Sequence, residues 1–242
     1  MSTTIRVGSK FKILIYVDEP MCSIACADAV YDILQNQKQF SVKSVGPSSW
    51  DNLKKLNKKT LKDCDCIVFP GGDGNSDQFD NNLINQKKLI RNYVLKGGRY
   101  MGICMGGYFA SDYYFDILRN ISAVRYIKRK MSDTRTQAAT KLRIKWKDKK
   151  KYWCYYHDGA AFILDTVCQT PNIYARYLNG DIAALTTSFG LGKVCVVGPH
   201  LEAPKWWFYT QSKFNLQWKN CIQHDLFLEM FNDLIYDKTT RS

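Results

Sequence analysis

The chain has 242 residues, 45% of them hydrophobic and 24% charged, and a formal net charge of +13. This length and apolar content suffice for one substantial core, which predicts a single domain over residues 1–242. No apolar run approaches the roughly twenty residues that span a bilayer. Lys10 and Lys12 interrupt the segment where a signal peptide would need apolar residues. The composition therefore argues against a membrane-spanning protein, and we expect a cytoplasmic protein without a membrane partner.

Apolar segments alternate with helix-like segments through the first hundred residues. The sequence predicts strands over 11–17, 40–45 and 65–69 and a further strand that runs into residue 104; it predicts helices over 23–37, 50–56 and 83–95. Short strands separated by helices indicate parallel crossovers, so the predicted fold is α/β with a doubly wound, mostly parallel sheet. Ligands of such sheets bind at the carboxyl ends of the strands.

The middle of the chain is basic, because Arg125 to Lys151 holds twelve Lys or Arg and two Asp. Alternation of polar and apolar residues over 141–147 predicts a strand, and 148–150 predicts a hairpin turn into a second strand over 152–156. We therefore predict a β-hairpin-rich basic insertion at about 121–165. A solvated lysine face is the favoured interpretation. A nucleic-acid surface is the alternative, although no nucleic-acid-binding motif accompanies the charge.

Cys104 lies between Gly102 and Gly106, directly after a predicted strand and before a helix-like segment. This arrangement is typical of a nucleophile elbow, a sharp strand-to-helix turn whose flanking glycines allow close backbone approach. The turn would place the sulfur above the sheet edge at a helix N-terminus, which favours the thiolate and supplies backbone N–H groups for an oxyanion. A tight structural turn is the alternative interpretation.

A second element lies near the C-terminus, where His200 and Glu202 follow the apolar segment Val194–Val197. If both strands share a parallel sheet, His200 can meet Cys104 at the sheet edge. Glu202 can then accept a hydrogen bond from the far ring nitrogen and fix the tautomer, which is the role of the third member of a catalytic triad. A capped strand end with a surface histidine is the alternative.

Nine cysteines are present, and most lie in predicted strands or helices, so buried reduced thiols are expected. Neither the pair Cys22 and Cys26 nor the pair Cys64 and Cys66 has a complementary histidine or cysteine pair at zinc-ligand spacing. We therefore predict no metal and no cofactor.

Three segments resemble the signatures of class I glutamine amidotransferase-like domains. They are Phe69–Gly72, Gly102–Gly106 and His200–Glu202. The resemblance implies a flavodoxin-like fold with a catalytic triad and an oxyanion hole built from two backbone amides. The implied triad is Cys104, His200 and Glu202, and the implied oxyanion donors are Gly72 and Met105.

Within that superfamily the chain most resembles the N-terminal domain of eukaryotic biotin–protein ligases, over about residues 11 to 235. The segment Tyr155–Phe162 also matches in order and approximate spacing. The candidate pocket residues are Gly71, Asp73, Gly107, Tyr108, Tyr156, His157 and Asp158. An exposed hairpin turn is the alternative for 155–159. The aromatic run 206–209 is expected to anchor a terminal helix over 220–236 on the core, with a pocket lid as the alternative.

The chain departs from the superfamily pattern in two places. Glutamine-hydrolysing members usually carry a glutamine four residues after the nucleophile, and Tyr108 stands there, which argues against ordinary glutaminase activity. Leu201 replaces the usual proline between the histidine and the glutamate. No Gly-Arg-Gly-Arg-like loop of a biotin ligase is found, so we expect no biotin ligation by this chain alone.

Two functions are predicted from these observations. In the first, the domain is an amidohydrolase or amidotransferase-like enzyme that acts on a small-molecule amide or acyl substrate through Cys104. In the second, the same fold is a catalytically silent module that binds a ligand or a protein partner.

Overall fold

The helices and strands are defined by a computed structural model that describes residues 9–47, 53–74, 79–81, 83–165, 170–209 and 222–236. The strands are β1 (Phe11–Tyr16), β2 (Phe40–Gly46), β3 (Lys54–Lys55), β4 (Cys66–Phe69), β5 (Arg99–Ile103), β6 (Ile121–Arg125), β7 (Thr140–Trp146), β8 (Lys151–Tyr156), β9 (Ala160–Leu164), β10 (Asn172–Tyr177), β11 (Ile182–Phe189) and β12 (Gly192–Val197). The α-helices are α1 (Ile24–Gln35), α2 (Lys58–Lys62), α3 (Lys87–Leu95), α4 (Met105–Phe109), α5 (Lys205–Tyr209) and α6 (Ile222–Tyr236). Short 3₁₀ turns cover Ile84–Gln86 and Tyr126–Lys128.

The central part of the sheet is parallel. In the order β3-β2-β1-β4-β5-β12, each strand runs parallel to its neighbour. Without the short edge strand β3, this is the flavodoxin-like order, in which the second strand lies at one side of the first and the later strands at the other. The predicted doubly wound α/β sheet is confirmed, and the carboxyl ends of β4, β5 and β12 lie side by side.

The sheet continues beyond β12 in antiparallel strands. β11, β10, β7 and β8 follow in that order, and β9 pairs with both β11 and β6. The predicted basic hairpin is β7 with β8, and it extends the main sheet. Leu142, Ile144 and Trp146 are buried and the intervening Arg143 and Lys145 are exposed, as the alternation of residue types predicts.

Alternate residues of the central strands enter two cores, one on each face of the sheet. In β1, Ile13 and Ile15 face a core covered by α1 and α6, whereas Leu14 and Tyr16 face a core covered by α3. Burial on both faces is the reason why these strands are almost continuously apolar.

One predicted helix is wrong. The sequence predicts it over 50–56, of which 50–52 lie outside the described residues, but the structure forms β3 within that range. The helix begins only after Asn57, whose side chain accepts hydrogen bonds from two backbone amides of the first turn. This N-cap sets the start of α2 and leaves the preceding residues to pair with the sheet edge.

The predicted C-terminal helix is confirmed as α6, and residues 220–221 of the prediction lie outside the described part of the chain. Across the ranges given above, no helix combines the length and the apolar character that crossing a membrane requires.

Candidate active site

Cys104 lies in a strained turn at the carboxyl end of β5. Its φ of 50° and ψ of −106° lie outside the regions that non-glycine residues favour, and α4 begins at the next residue. The turn needs its flanking glycines: a Cβ on Gly102 would collide with the Gly106 carbonyl, and one on Gly106 would collide with the Phe69 carbonyl. The backbone therefore has the geometry of a nucleophile elbow.

His200 follows β12, the strand beside β5. Its Nδ1 lies 2.7 Å from Glu202 Oε1, and both side chains are buried. Its backbone amide donates to the Tyr155 carbonyl at 2.9 Å, which joins this turn to the end of β8. The rings of Trp207 and Tyr155 lie edge-on to the imidazole, with centroid distances of 5.6 and 5.8 Å. The imidazole is thus held in place from several sides.

The surroundings of His200 favour a charged ring. Burial disfavours the imidazolium, but the Glu202 carboxylate and the Cys104 sulfur oppose that effect, and hydrogen bonds to the Cys104 and Cys26 thiols oppose it further. The net result raises the pKa of His200 well above its ordinary value. Both sulfurs therefore lie close to the imidazole, and the three residues that the sequence singled out are brought together.

A cavity of about 520 Å³ opens at Cys104. The candidate site residues from the sequence that line it are Gly72, Asp73, Cys104, Met105, Tyr108, His157 and Asp158. The Cys104 thiol also donates to the His157 carbonyl at 3.3 Å. Within the described ranges, the amide N–H groups of Gly72 and Met105 donate to no backbone acceptor. Both donors are therefore available to a ligand in the cavity.

Three other candidate pocket residues lie behind the cavity wall. Gly71 is packed so closely that a Cβ would collide with His200 Cε1, and a Cβ on Gly107 would lie 3.2 Å from the Phe162 ring. Tyr156 is buried, and its hydroxyl donates at 3.0 Å to a backbone carbonyl three residues further on. These residues shape the site from behind and do not line the cavity.

An ion pair holds one wall of the cavity. Asp158, in a left-handed turn at φ 48°, accepts hydrogen bonds from Nε of Arg125 at 3.2 Å and from a terminal guanidinium nitrogen of the same residue. The Tyr108 hydroxyl donates to the Asp158 carbonyl at 3.2 Å, and burial raises the pKa of Tyr108. Desolvation and the nearby His200 lower the pKa of His157. Tyr108 is therefore a neutral donor that ties the elbow helix to this wall.

Sequence reasoning missed part of the site. In the sequence, Arg125 is only one charge of the basic segment, because its contact with Asp158 depends on the pairing of β6 with β9. In the sequence, Cys26 is only a helix residue and a possible metal ligand paired with Cys22. The structure fixes the position of its sulfur, because the Ser23 side chain caps α1 by accepting from the Cys26 amide at 3.2 Å. The other missed lining residues are Gly74, Tyr114, Gln137 and Ala138.

Comparisons with known proteins agree with this geometry. Residues 11–124 match the family described as biotin-protein ligase, N terminal. A putative GMP synthase subunit from Thermoplasma acidophilum is 12% identical, with a TM-score of 0.58 over 96% of this chain and 98% of its own. A glutamine amidotransferase is 13% identical, with a TM-score of 0.55 over 90% of this chain and 97% of its own. No curated protein sequence matches the chain significantly.

These similarities decide the architecture. The chain has a class I glutamine amidotransferase-like fold. The superfamily resemblance expected from the three sequence segments is confirmed. The amidotransferase-like domain also aligns with an exo-beta-1,4-mannosidase from Opitutaceae bacterium strain TAV5, at 11% identity and a TM-score of 0.56. The alignment covers 93% of this chain but only 36% of that protein.

The amidotransferase-like domain also gathers groups that can hold a metal. Cys26, His200 and Glu202 each offer one ligand atom, and these atoms lie within 4.8 Å of one another. The sequence search for zinc-ligand spacing could not predict this cluster, because it compares residues that are close together in the chain. His200 and Glu202 lie far from Cys26 in the sequence, and only the fold brings them together.

Proposed function

We propose that the amidotransferase-like domain is a cysteine-dependent hydrolase or acyl-transfer enzyme that acts on a small amide or acyl substrate. The observation that carries the proposal is the strained backbone of Cys104 beside a buried histidine that is itself bonded to a buried carboxylate. Such strain costs on the order of 1–3 kcal/mol and concentrates at functional sites. In this proposal Cys104 is the nucleophile, His200 the general base and acid, and Glu202 the residue that orients the imidazole.

The first half of the reaction forms a thioester. The Cys104 thiol gives its proton to His200, whose raised pKa favours the proton on the ring, and the sulfur attacks the substrate carbonyl carbon. The Gly72 and Met105 amides donate to the resulting oxyanion, and removing one such donor costs on the order of a hundredfold to a thousandfold in rate. The tetrahedral intermediate then collapses, the carbon–nitrogen bond breaks, and His200 gives its proton to the departing amine.

The second half releases the acyl group from Cys104. A water molecule loses a proton to His200 and its oxygen attacks the thioester carbon, after which the carbon–sulfur bond breaks. The sulfur regains the proton from His200, so the carboxylic acid leaves and the free thiol is restored. A second nucleophile in place of water would make the same site a transferase.

The cavity fits a small polar substrate other than glutamine. Its volume of about 520 Å³ lies within the roughly 300–1,000 Å³ of small-molecule sites. Tyr108 stands where glutamine-hydrolysing relatives carry a glutamine, and its hydroxyl already bonds the Asp158 carbonyl. Asp73 and Asp158 add carboxylates, and only Asp158 is paired with the Arg125 guanidinium among the described residues. This charge balance favours a neutral or cationic substrate.

The first test is the rate at which iodoacetamide labels each cysteine as a function of pH, read by peptide mass spectrometry. We expect Cys104 to react faster at pH 7 than the other accessible cysteines, and His200→Ala to slow that reaction about tenfold or more at pH 7. His224→Ala is the matched control, since that histidine does not line the cavity and its ring bonds the Ala203 carbonyl. Activity would then be sought with a panel of small amides and esters, with Cys104→Ser as the blank.

The same measurement separates the enzyme from a binding module. If Cys104 reacts no faster than the other accessible cysteines, and His200→Ala changes nothing, the proposed nucleophile is wrong. The cavity would then serve a ligand or a protein partner without turnover. The replacement of the usual glutamine by Tyr108 is the observation that favours this second function.

A further inference from the structure

A second cluster of reactive groups lies directly behind the elbow. It consists of Cys26 Sγ, the imidazole of His200 and the carboxylate of Glu202, and all three side chains are buried. Cys26 comes from the first turn of α1, and the other two residues come from the turn after β12. The proposed reaction does not need Cys26, yet its sulfur lies within 4.8 Å of a ring nitrogen of the same imidazole.

Glu202 carries an unsatisfied oxygen. Its Oε1 lies 2.7 Å from His200 Nδ1. Its Oε2 is also buried and has no hydrogen-bond partner within the described residues. A buried carboxylate oxygen without a partner is costly, since nothing replaces the water that it loses on folding. A cation close to this oxygen would remove that cost.

We propose that Cys26, His200 and Glu202 form a binding site for Zn²⁺ or a similar thiophilic divalent metal. Thiolate, imidazole and carboxylate are the ligand types that zinc takes, and three protein ligands leave the fourth tetrahedral position open. Metal–ligand bonds of about 2.0–2.3 Å require ligand atoms roughly 3.3–3.8 Å apart. The three side chains, now within 4.8 Å of one another, must therefore move inward by about 1 Å.

The charge balance of the buried site suits a divalent ion. In the metal-bound site, a Cys26 thiolate and the Glu202 carboxylate carry two negative charges, which one divalent ion neutralises, and binding displaces the proton of the thiol. Metal binding must therefore strengthen as the pH rises. Mg²⁺, which prefers oxygen ligands, should not compete.

The metal would act on the proposed reaction through His200. An imidazole that coordinates the ion cannot accept the Cys104 proton, so the metal-loaded protein should alkylate slowly at Cys104. This consequence rests on the proposed function, whereas metal binding itself does not.

The test uses Co²⁺ as the probe, because a cobalt–thiolate bond gives a charge-transfer absorption that other ligands do not give. The full chain, reduced and freed of metal with a chelator, is titrated with Co²⁺ and then with Zn²⁺ as competitor. We expect one Co²⁺ per chain, the thiolate band, and binding that strengthens as the pH rises. The band should persist in Cys104→Ser, which removes the proposed nucleophile, and in Cys22→Ser, a buried cysteine of the same segment.

Two variants decide the ligand set. Cys26→Ser should abolish the thiolate band, and Glu202→Gln should weaken Co²⁺ binding about tenfold or more; circular dichroism would show that both variants fold. If Cys26→Ser does not fold, Glu202→Gln and the pH dependence of Co²⁺ binding still decide. The site is wrong if no band appears, if the band survives in Cys26→Ser, or if it is lost in Cys104→Ser. Alkylation of metal-free Cys104 is measured separately, so failure of the metal site and failure of the proposed enzyme are distinguishable.

Discussion

At the scale of single residues, Gly71 makes room for three side chains of the site. A Cβ at this position would collide with His200 Cε1 and lie 3.3 Å from both the Cys104 Cβ and the Cys26 sulfur. The glycine is thus a spacer that lets the imidazole, the elbow and α1 meet. A Pro-Gly-Gly sequence predicts a turn in which only glycine fits. It does not predict which side chains pack against that glycine.

We therefore predict that Gly71→Ala displaces the His200 ring. Overpacking of this kind costs about 1–3 kcal/mol of stability, and Cys104 alkylation at pH 7 should slow about as much as in His200→Ala. The measurements are urea unfolding and the labelling rate. Gly180→Ala is the matched control, since that glycine has φ 93° and open space around it: it should lose stability through backbone strain alone, with normal labelling. Normal labelling in Gly71→Ala would contradict the prediction.

At the scale of elements, one ion pair connects the 3₁₀ turn after β6 to the turn between β10 and β11. Arg129 donates to both carboxylate oxygens of Asp181, at 2.8 and 3.1 Å, and Asn179 donates to the same carboxylate at 2.9 Å. These hydrogen bonds, the two from Arg129 above all, lower the pKa of Asp181. The antiparallel strands around the cavity wall are thus joined by charge as well as by the sheet.

The lowered pKa of Asp181 makes this contact sensitive to acid. A carboxyl with a lowered folded-state pKa contributes stability above its ordinary pKa of 3.8 and loses it as the pH falls through the folded value. We expect Asp181→Asn to cost about 1 kcal/mol or less at pH 7, because Arg129 is partly exposed. The difference from the unchanged protein should shrink below pH 3.8.

Urea unfolding at several pH values checks this, with the exposed Asp28→Asn as a control that should show little change at any pH. If the difference in unfolding free energy between Asp181→Asn and the unchanged protein stays constant down to low pH, the charge of the Asp181 carboxylate does not contribute to stability.

Also at the scale of elements, basic residues of β7 pack against an aromatic ring of the neighbouring strand β8. Lys141 and Arg143 lie over the Trp153 ring of β8, with distances of 5.2 and 5.3 Å to its centroid. Cation–π contacts of this kind stabilise an exposed hairpin. They agree with the interpretation of a solvated face, and nucleic-acid binding stays the alternative. A duplex that bound with an affinity falling steeply with salt would favour that alternative.

At the scale of the whole molecule, β12 joins two halves of one sheet. It pairs in parallel with β5 and antiparallel with β11, so the elbow strand and the strands of the cavity wall share continuous hydrogen bonding. Residues of β11 and β12 enter both cores. We therefore expect the predicted single domain to unfold as one unit.

This expectation is tested by urea unfolding followed by tryptophan fluorescence and by far-ultraviolet circular dichroism. Four of the six tryptophans, Trp146, Trp153, Trp206 and Trp207, belong to the antiparallel half and to the segment beside it, so fluorescence reports mainly on that half. Circular dichroism reports on the helices of both halves. The two curves should superimpose in a single transition. Separate midpoints would mean that the antiparallel half, with the basic insertion, folds on its own.

The local pattern of the sequence determined most elements. Apolar runs buried on both faces predicted the parallel strands, and the alternation over 141–147 predicted β7, because these periods follow directly from backbone geometry. The glycines around Cys104 predicted the elbow. Prediction failed at β3, where a short pair of lysines has no periodicity and only contact with β2 gives it strand geometry.

The sequence by itself determined the two separate halves of the candidate site, a cysteine between glycines and a histidine two residues before a glutamate. Only the tertiary structure decided which other residues contact these two halves. The parallel pairing of β5 with β12 brings Cys104 to His200, and the packing of α1 adds Cys26 to the same imidazole. Such contacts join residues far apart in the chain, and no local preference encodes them, because they arise only when the sheet and its helices pack together.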